Sequence, residues 1–114
     1  GEYEKGNYVL VGGDWNQTPF GFDPSHLDQP FDSINVAYLE ADYPAAGWTW
    51  AFDHSMPSNR RVAVPYSRGS SLTTVIDGYL LSPNISLRHI QTRDVDFRFS
   101  DHQPVELHVA LIPE

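Results

Sequence analysis

The feature that most constrains this chain is a short apolar run at residues 8–11, which ends at two glycines and is followed at once by Asp14 and Asn16. The run is rich in β-forming residues and too short for a typical helix, so it predicts a buried strand over residues 8–13. A carboxylate and an amide at the mouth of such a strand rest on a rigid support near the sheet edge. Taken alone, the pattern favours a strand that stops at an ordinary Gly-Gly turn with polar turn residues.

Two later stretches also combine apolar runs with acidic groups. Residues 72–82 form a second apolar run that carries one carboxylate, Asp77, in its middle. A lone Asp inside such a run is costly unless another group pairs with it. In the third stretch, residues 97–107, Asp101 and His102 are adjacent just before a final predicted strand. Pro104 falls at the first position of that strand, where a missing N–H is tolerated.

Together the three stretches resemble the endonuclease/exonuclease/phosphatase superfamily, which includes deoxyribonuclease I, abasic-site endonucleases, inositol-polyphosphate phosphatases and neutral sphingomyelinases. The Gly-Asp-x-Asn motif of this family matches residues 13–16, and its Ser-Asp-His-x-Pro motif matches residues 100–104. Its Ile-Asp-aromatic motif matches residues 76–79 with one departure, since Gly78 follows the Asp and the aromatic Tyr79 comes one place later.

The resemblance covers nearly the whole chain but only the C-terminal half of the family's fold. It implies one α+β domain over residues 1–114: a mainly antiparallel sheet with one or two helices on one face, half of a four-layer α/β/β/α sandwich. In the family the upstream half supplies a metal-binding Glu, and nothing before Asn7 matches it. We therefore expect the chain to be a C-terminal fragment whose natural partner is the missing N-terminal half.

Local patterns predict the individual elements. Apolar spacing predicts one helix over residues 32–43, with Asp32 or Ser33 as N-cap, and Pro44 ends it. The apolar face of that helix would consist of Ile34, Ala37, Tyr38 and Ala41. Further strands are predicted at residues 48–52, 73–81, 85–95 and 105–112, with a hairpin turn at 83–84 and a surface loop over 53–71. A short helical turn is predicted at residues 23–25.

The resemblance also implies roles for the motif residues. Asp14 would orient or deprotonate the attacking water, and Asn16 would donate a hydrogen bond near Asp14 or to a phosphate oxygen. His102 would contact a phosphate oxygen, and Asp77 would accept its other ring N–H and so hold its tautomer. Without the family pattern, the Asp77–His102 pair would be interpreted as a structural buried hydrogen bond.

The resemblance assigns a divalent cation to Asp101. Hard oxygen ligands of this kind suit Mg²⁺, or else Mn²⁺ or Ca²⁺, better than a zinc cage. Because the family's Glu has no counterpart here, we expect the chain to hold the ion incompletely. The absence of cysteine excludes thiolate metal sites. We expect the other histidines, at positions 26, 54, 89 and 108, to be surface residues rather than ligands.

The charge of the chain bears on its substrate. Lys and Arg total 7 against 15 Asp and Glu, which gives a net charge of −8. This balance is poor for steering towards a nucleic acid, so it favours a small phosphorylated or lipid-derived substrate without excluding DNA. The densest positive charge includes Arg60 and Arg61, which are either solvated surface groups or a clamp on the substrate phosphate. No apolar run approaches about 18 residues, so no transmembrane segment is predicted.

Two functions stay open at this point. The chain is half of a metal-dependent phosphoesterase that hydrolyses phosphodiester or phosphomonoester bonds and is inactive alone, or it is a non-catalytic binding or structural module that retains the motifs. In either case the half-fold would expose an apolar sheet face. We therefore expect a homodimer packed sheet to sheet.

Overall fold

The computed structural model describes residues 1–113 and is built almost entirely from short strands. Seven strands follow one another along the chain: β1 (Leu10–Asp14), β2 (Thr49–Ala51), β3 (Asn59–Arg60), β4 (Thr73–Thr74), β5 (Asp77–Leu81), β6 (Ile85–Thr92) and β7 (Val105–Leu111). They form three small antiparallel sheets, with the orders β1-β5-β2, β3-β4 and β6-β7.

The predicted α+β class is wrong. Within residues 1–113 the helical segments are two 3-10 turns, Tyr3–Lys5 and Pro24–His26, and neither forms a layer over a sheet. The second one confirms the predicted short turn, because the Asp23 side chain accepts the Ser25 N–H and caps it. Half of a four-layer sandwich requires helices on one face of the sheet, so this chain does not have that architecture.

The helix predicted over residues 32–43 does not form. Asp32 caps a local turn by accepting the Ile34 and Asn35 N–H groups, but no helix follows it. The backbone instead pairs with Thr18, whose N–H donates to the Ala37 carbonyl and whose carbonyl accepts from the Leu39 N–H, both at 2.8 Å. A short helix has a costly nucleus, and this long-range pairing satisfies the same backbone groups. The expected apolar face is left in solvent, with Ile34 87% exposed.

Strand β1 differs from the predicted buried strand. It runs through both glycines to Asp14, and all five of its residues are exposed. Within the described part of the chain β1 is an edge strand that pairs only with β5. Gly12 lies opposite Tyr79, and a Cβ at position 12 would lie 2.5 Å from the tyrosine ring. The glycine therefore makes room for a cross-strand aromatic ring rather than ending the strand.

The predicted strand over 73–81 is divided into β4 and β5 by Val75 and Ile76, which are both buried. The turn at Pro83 and Asn84 forms as predicted, but it does not make a hairpin. β5 pairs with β1 and β2, whereas β6 pairs with β7 in a separate sheet. β6 also ends at Thr92, three residues before the predicted limit.

Two apolar clusters hold the sheets together. One consists of buried Phe22, Leu39, Phe52 and Val75, with aromatic residues packed around it. The other consists of Ala51, Leu81 and Ile85, against which Ile90, Leu107 and Val109 of the β6-β7 sheet pack. The second cluster joins the β6-β7 sheet to the β1-β5-β2 sheet. Across residues 1–113, no helix has the length and apolarity that crossing a membrane requires.

Candidate functional site

The candidate site begins with two carboxylates on neighbouring strands. Asp14, the last residue of β1, lies directly opposite Asp77, the first residue of β5. Residues paired across antiparallel strands point to the same face of the sheet, and like charges at such positions are unfavourable. This face therefore needs a cationic partner.

That partner is His102, which the loop between β6 and β7 carries to the same place. Its Nδ1 lies 2.8 Å from Asp77 Oδ2, so the predicted hydrogen-bond contact between these two residues is confirmed. Its Nε2 lies 3.7 Å from Asp14 Oδ2 and 3.8 Å from Asp101 Oδ2. Three carboxylates thus surround one imidazole, and groups from all three sequence motifs meet.

Gln103 anchors the loop that carries His102. Its side chain is buried, where Nε2 donates to the Pro57 carbonyl and Oε1 accepts the Val95 N–H, each at 2.8 Å. Its backbone N–H donates to the Ser58 carbonyl at 2.8 Å. Two of these bonds tie the loop to the segment before β3, and the third joins the two ends of the loop. The motif position that varies in the family is therefore a structural residue in this chain.

The short β3 region contributes two site residues that no sequence pattern indicated. Ser58 is fully buried, and its Oγ accepts the N–H groups of Ile76 and Asp77 at 3.0 and 3.1 Å. Asn59 Nδ2 donates to the Asp101 carbonyl at 3.2 Å and lies 3.3 Å from His102 Nε2. Both residues fall in the predicted surface loop over 53–71, where only the tertiary contacts reveal their role.

Asn59 determines the tautomer of neutral His102. The Asp101 carbonyl can only accept, so the end of the Asn59 amide that faces it is the NH₂ group, which donates. The Nε2 atom of His102 must then accept from Asn59, so the ring proton lies on Nδ1 and is donated to Asp77. The Asp77–His102 arrangement is thus held from both sides of the ring.

Asn16 acts through its backbone in this structure. Its N–H donates to Asp14 Oδ1 at 2.8 Å, and its φ of 53° lies in the left-handed region that asparagine tolerates. The exposed Asn16 side chain makes no hydrogen bond with the described residues. The Asn16 main chain therefore orients that carboxylate, and the role predicted for Asn16 towards a phosphate stays a prediction.

Arg60 and Arg61 differ in their burial and in their contacts with the site. The Arg60 N–H donates to the Asp101 carbonyl at 2.9 Å, which places the Arg60 backbone beside the site. Its guanidinium donates to the Arg61 carbonyl, and its Nε is buried without a partner among the described residues. Arg61 is exposed. Neither guanidinium makes an ion pair within residues 1–113, so the structure does not bring the arginines into the acidic cluster.

Gly78 stands where the motif that the chain resembles has an aromatic residue, and packing explains the glycine. A Cβ on Gly78 would lie 2.5 Å from the Ala51 carbonyl oxygen of β2 and 2.7 Å from the Phe52 ring. An aromatic residue at position 78 would therefore separate β5 from β2. The aromatic ring at Tyr79 instead covers Gly12, and its hydroxyl donates to the Val105 carbonyl at 2.8 Å. A cleft of about 180 Å³ lies here, lined by Gly13, Asp77, Gly78, Tyr79, Gln103 and Val105.

The electrostatics of the pair follow from burial and charge. Burial raises the pKa of Asp77, and the hydrogen bond with His102 offsets this only in part. Burial alone would lower the pKa of His102, but the hydrogen bond to Asp77 and the charges of the three carboxylates outweigh it. The net result is a His102 pKa above its ordinary value. The imidazolium is therefore more favoured here than in a free histidine, and that form cannot accept the Asn59 amide at Nε2.

The donor set fits a hard cation only partly. Asp14, Asp77 and His102 offer ligand atoms that all lie within 4.8 Å of one another. Asp101 does not belong to this group, although its carboxylate lies beside His102. Carboxylate oxygens suit Mg²⁺, Mn²⁺ or Ca²⁺, but such ions take six or more ligands. These residues could hold an ion only with water or with ligands from another chain segment.

Comparisons of this chain with protein-family models, with curated proteins and with solved structures find no match. The site must therefore be interpreted from its own chemistry.

Proposed function

We propose that this chain supplies one half of the active site of a metal-dependent phosphoesterase, which acts on phosphodiester or phosphomonoester bonds. One observation carries the proposal: Asp14, Asp77 and His102 come from separate motifs and meet around a hydrogen bond of 2.8 Å. A buried carboxylate that orients a histidine, with further acids at its open side, is an arrangement suited to proton transfer and phosphate contact.

His102 is the group that would contact the substrate. Asp77 holds Nδ1 by a hydrogen bond, so the Nε2 atom is the one directed towards the other carboxylates. The raised pKa favours the imidazolium form, which can donate from Nε2 to a non-bridging phosphate oxygen. A bound phosphate would displace the Asn59 amide, which lies 3.3 Å from Nε2.

Asp14 would act on the attacking water. Its carboxylate lies at the sheet edge, and the Asn16 N–H fixes one of its oxygens and leaves the other towards His102. An oriented carboxylate of this kind can align a water molecule or accept its proton. Arg60 and Arg61 are the candidates for holding further phosphate oxygens, since a guanidinium matches phosphate geometry.

By the resemblance, Asp101 would hold the cation, Mg²⁺ or else Mn²⁺ or Ca²⁺, although its carboxylate lies outside the group formed by Asp14, Asp77 and His102. When bound, such an ion neutralises charge on the phosphate group. This chain offers few oxygen ligands, so the remaining ones would come from water, from the substrate phosphate or from another polypeptide segment. The net charge of −8 favours a small phosphorylated or lipid-derived substrate over long DNA.

The test assays this chain, together with any further polypeptide that accompanies it in the natural protein, with Mg²⁺ on plasmid DNA, abasic DNA, inositol phosphates and sphingomyelin vesicles. We expect hydrolysis of one class, and H102A and D14N should each lower the rate by about 10²–10⁴ without unfolding the protein. His26→Ala is the matched control, since His26 is exposed beside a different carboxylate. Activity that survives in H102A would contradict the assigned roles.

The alternative is a non-catalytic module that retains the motifs. The absence of guanidinium contacts at the acidic cluster favours it, because a phosphate site normally includes fixed positive charge. A full-length protein that binds a phosphorylated ligand, with H102A weakening the binding, but hydrolyses none of the substrates would support this alternative.

A further inference from the structure

The outward face of the β6-β7 hairpin carries a second group of ionisable side chains. His89 lies opposite His108, and Gln91 lies opposite Glu106. Successive residues of a strand point to opposite faces, so Glu106 and His108 share one face with His89. The other face packs on the apolar cluster through Ile90, Leu107 and Val109. The two histidines and the glutamate thus project from a sheet whose other side is anchored.

The three side chains converge on a single oxygen atom. Glu106 Oε2 lies 3.3 Å from His89 Nε2 and 3.2 Å from His108 Nε2. The two imidazole rings are 4.9 Å apart at an interplanar angle of 51°. Arg93 pairs with the other carboxylate oxygen, Oε1, and so leaves Oε2 to the histidines. The same pairing lowers the pKa of Glu106, so the carboxylate is ionised at neutral pH.

Two of the three separations match those of ligands around one ion. Zinc holds imidazole nitrogens and carboxylate oxygens at about 2.0–2.2 Å, which places neighbouring tetrahedral ligands about 3.3 Å apart. Both nitrogen–oxygen distances already match this value. The third separation, between the His89 and His108 nitrogens, is wider than this, so binding would require the two rings to turn towards each other. The His89 and His108 side chains are 42% and 62% exposed, so they are free to turn inwards.

We propose that His89, Glu106 and His108 form a surface site for Zn²⁺, with water completing the coordination. Two imidazoles and one carboxylate are a ligand set that suits zinc rather than magnesium. Arg93 holds the carboxylate in place as an outer partner, although its positive charge weakens the site for a cation. Because the ion would join β6 to β7 across their non-anchored face, binding should stabilise the hairpin. The site is independent of the acidic cluster and of the proposed function.

The experiment titrates the metal-free protein with ZnCl₂ and follows the histidine ring signals by NMR, the binding by calorimetry and the unfolding temperature. We expect the His89 and His108 signals to shift and saturate near one equivalent, and the unfolding temperature to rise. Replacement of either ligand, in H89A or H108A, should weaken binding by about tenfold or more and remove the thermal shift.

Two matched variants separate this site from other histidines. His26→Ala removes an exposed histidine that also lies beside a carboxylate, and H102A removes the histidine of the acidic cluster. Both should leave the zinc response of His89 and His108 unchanged. The proposal is overturned if His89 and His108 signals do not respond to zinc, or if H102A abolishes the binding while H89A and H108A preserve it.

Discussion

His102 compensates an arrangement that would otherwise be unfavourable. Asp14 and Asp77 face each other across β1 and β5, and Asp101 adds a third negative charge nearby. A charged imidazole relieves the repulsion among these carboxylates, and a bound cation could do the same. The acidic cluster therefore favours a positively charged group among its carboxylates, with or without bound substrate.

We predict that Asp77→Asn lowers the pKa of His102. The substitution removes the hydrogen-bonded carboxylate that most strongly raises this pKa, and it leaves the effect of burial. NMR titration of the metal-free chain measures the value directly. Asp101→Asn should lower it by a smaller amount, since Asp101 acts only by charge. A His102 pKa that is unchanged in D77N would contradict the interaction.

The same shift determines how stability depends on pH. A histidine whose folded pKa is raised stabilises the folded chain fully below its unfolded value of about 6.5, and this contribution is lost as the pH rises through the folded pKa. In D77N this loss of stability should occur over a lower and narrower pH range. Urea unfolding at several pH values provides the check.

At the scale of elements, β5 organises the acidic site, because it carries Asp77 and pairs with β1, which carries Asp14. It pairs with β1 and β2, begins at Asp77 and places Tyr79 over Gly12. The glycine at position 78 allows β2 to lie directly against it. The spacing between β5 and β2 therefore depends on the absence of one side chain.

We predict that Gly78→Ala destabilises the chain by roughly 1–3 kcal/mol, the usual cost of inserting an extra group into a packed interior. The new Cβ would lie 2.5 Å from the Ala51 carbonyl, a backbone atom that cannot turn away. Urea unfolding measures the loss, with Ser86→Ala on the half-buried part of β6 as a control. An unchanged midpoint in G78A would show that β2 moves aside without cost.

At the scale of the whole molecule, the acidic cluster offers too few ligands for tight binding of a hard cation. We predict that this chain alone binds Mg²⁺ weakly and does not hydrolyse a chromogenic phosphodiester, because such ions need about six oxygen ligands. Calorimetry and an activity assay test the two statements, with D101N as the variant that should weaken binding further. Turnover by the purified chain that requires Mg²⁺ and is lost in H102A would show that the half-site suffices.

The exposed apolar residues of β1 and β7 predict self-association. β1 is an edge strand within residues 1–113, with Leu10 and Val11 45% and 43% exposed. Tyr8 donates to the Ile112 carbonyl and joins this surface to the exposed end of β7. An open edge beside apolar surface favours pairing with a second copy about a two-fold axis.

We therefore expect a homodimer in sedimentation experiments. Val11→Lys should shift it towards monomer, because a lysine on an edge strand opposes pairing. Ile34→Lys changes an equally apolar but isolated residue, 87% exposed in a loop, and should have no effect. A wild-type chain that stays monomeric at high concentration would contradict the prediction.

The sequence by itself determined the local elements of the chain, since these depend on residues close together in the sequence. The strands β2 and β7, the turn that Asp23 caps and the turn before β6 all follow from side-chain period or turn chemistry. The family resemblance also led to the Asp77–His102 contact, which supplies the partner that a carboxylate in an apolar run needs. The catalytic meaning of that contact stays a proposal.

Only the tertiary structure decided which segments lie together. Residues 32–43 pair with Thr18 instead of forming a helix, and Asn59 reaches His102 from a segment that resembles a plain loop. His89 and His108, which look like separate surface residues in the sequence, become neighbours through strand register. The physical reason is common to all three: local pattern reports what a segment can form, whereas long-range hydrogen bonds and packing select which of these forms is stable.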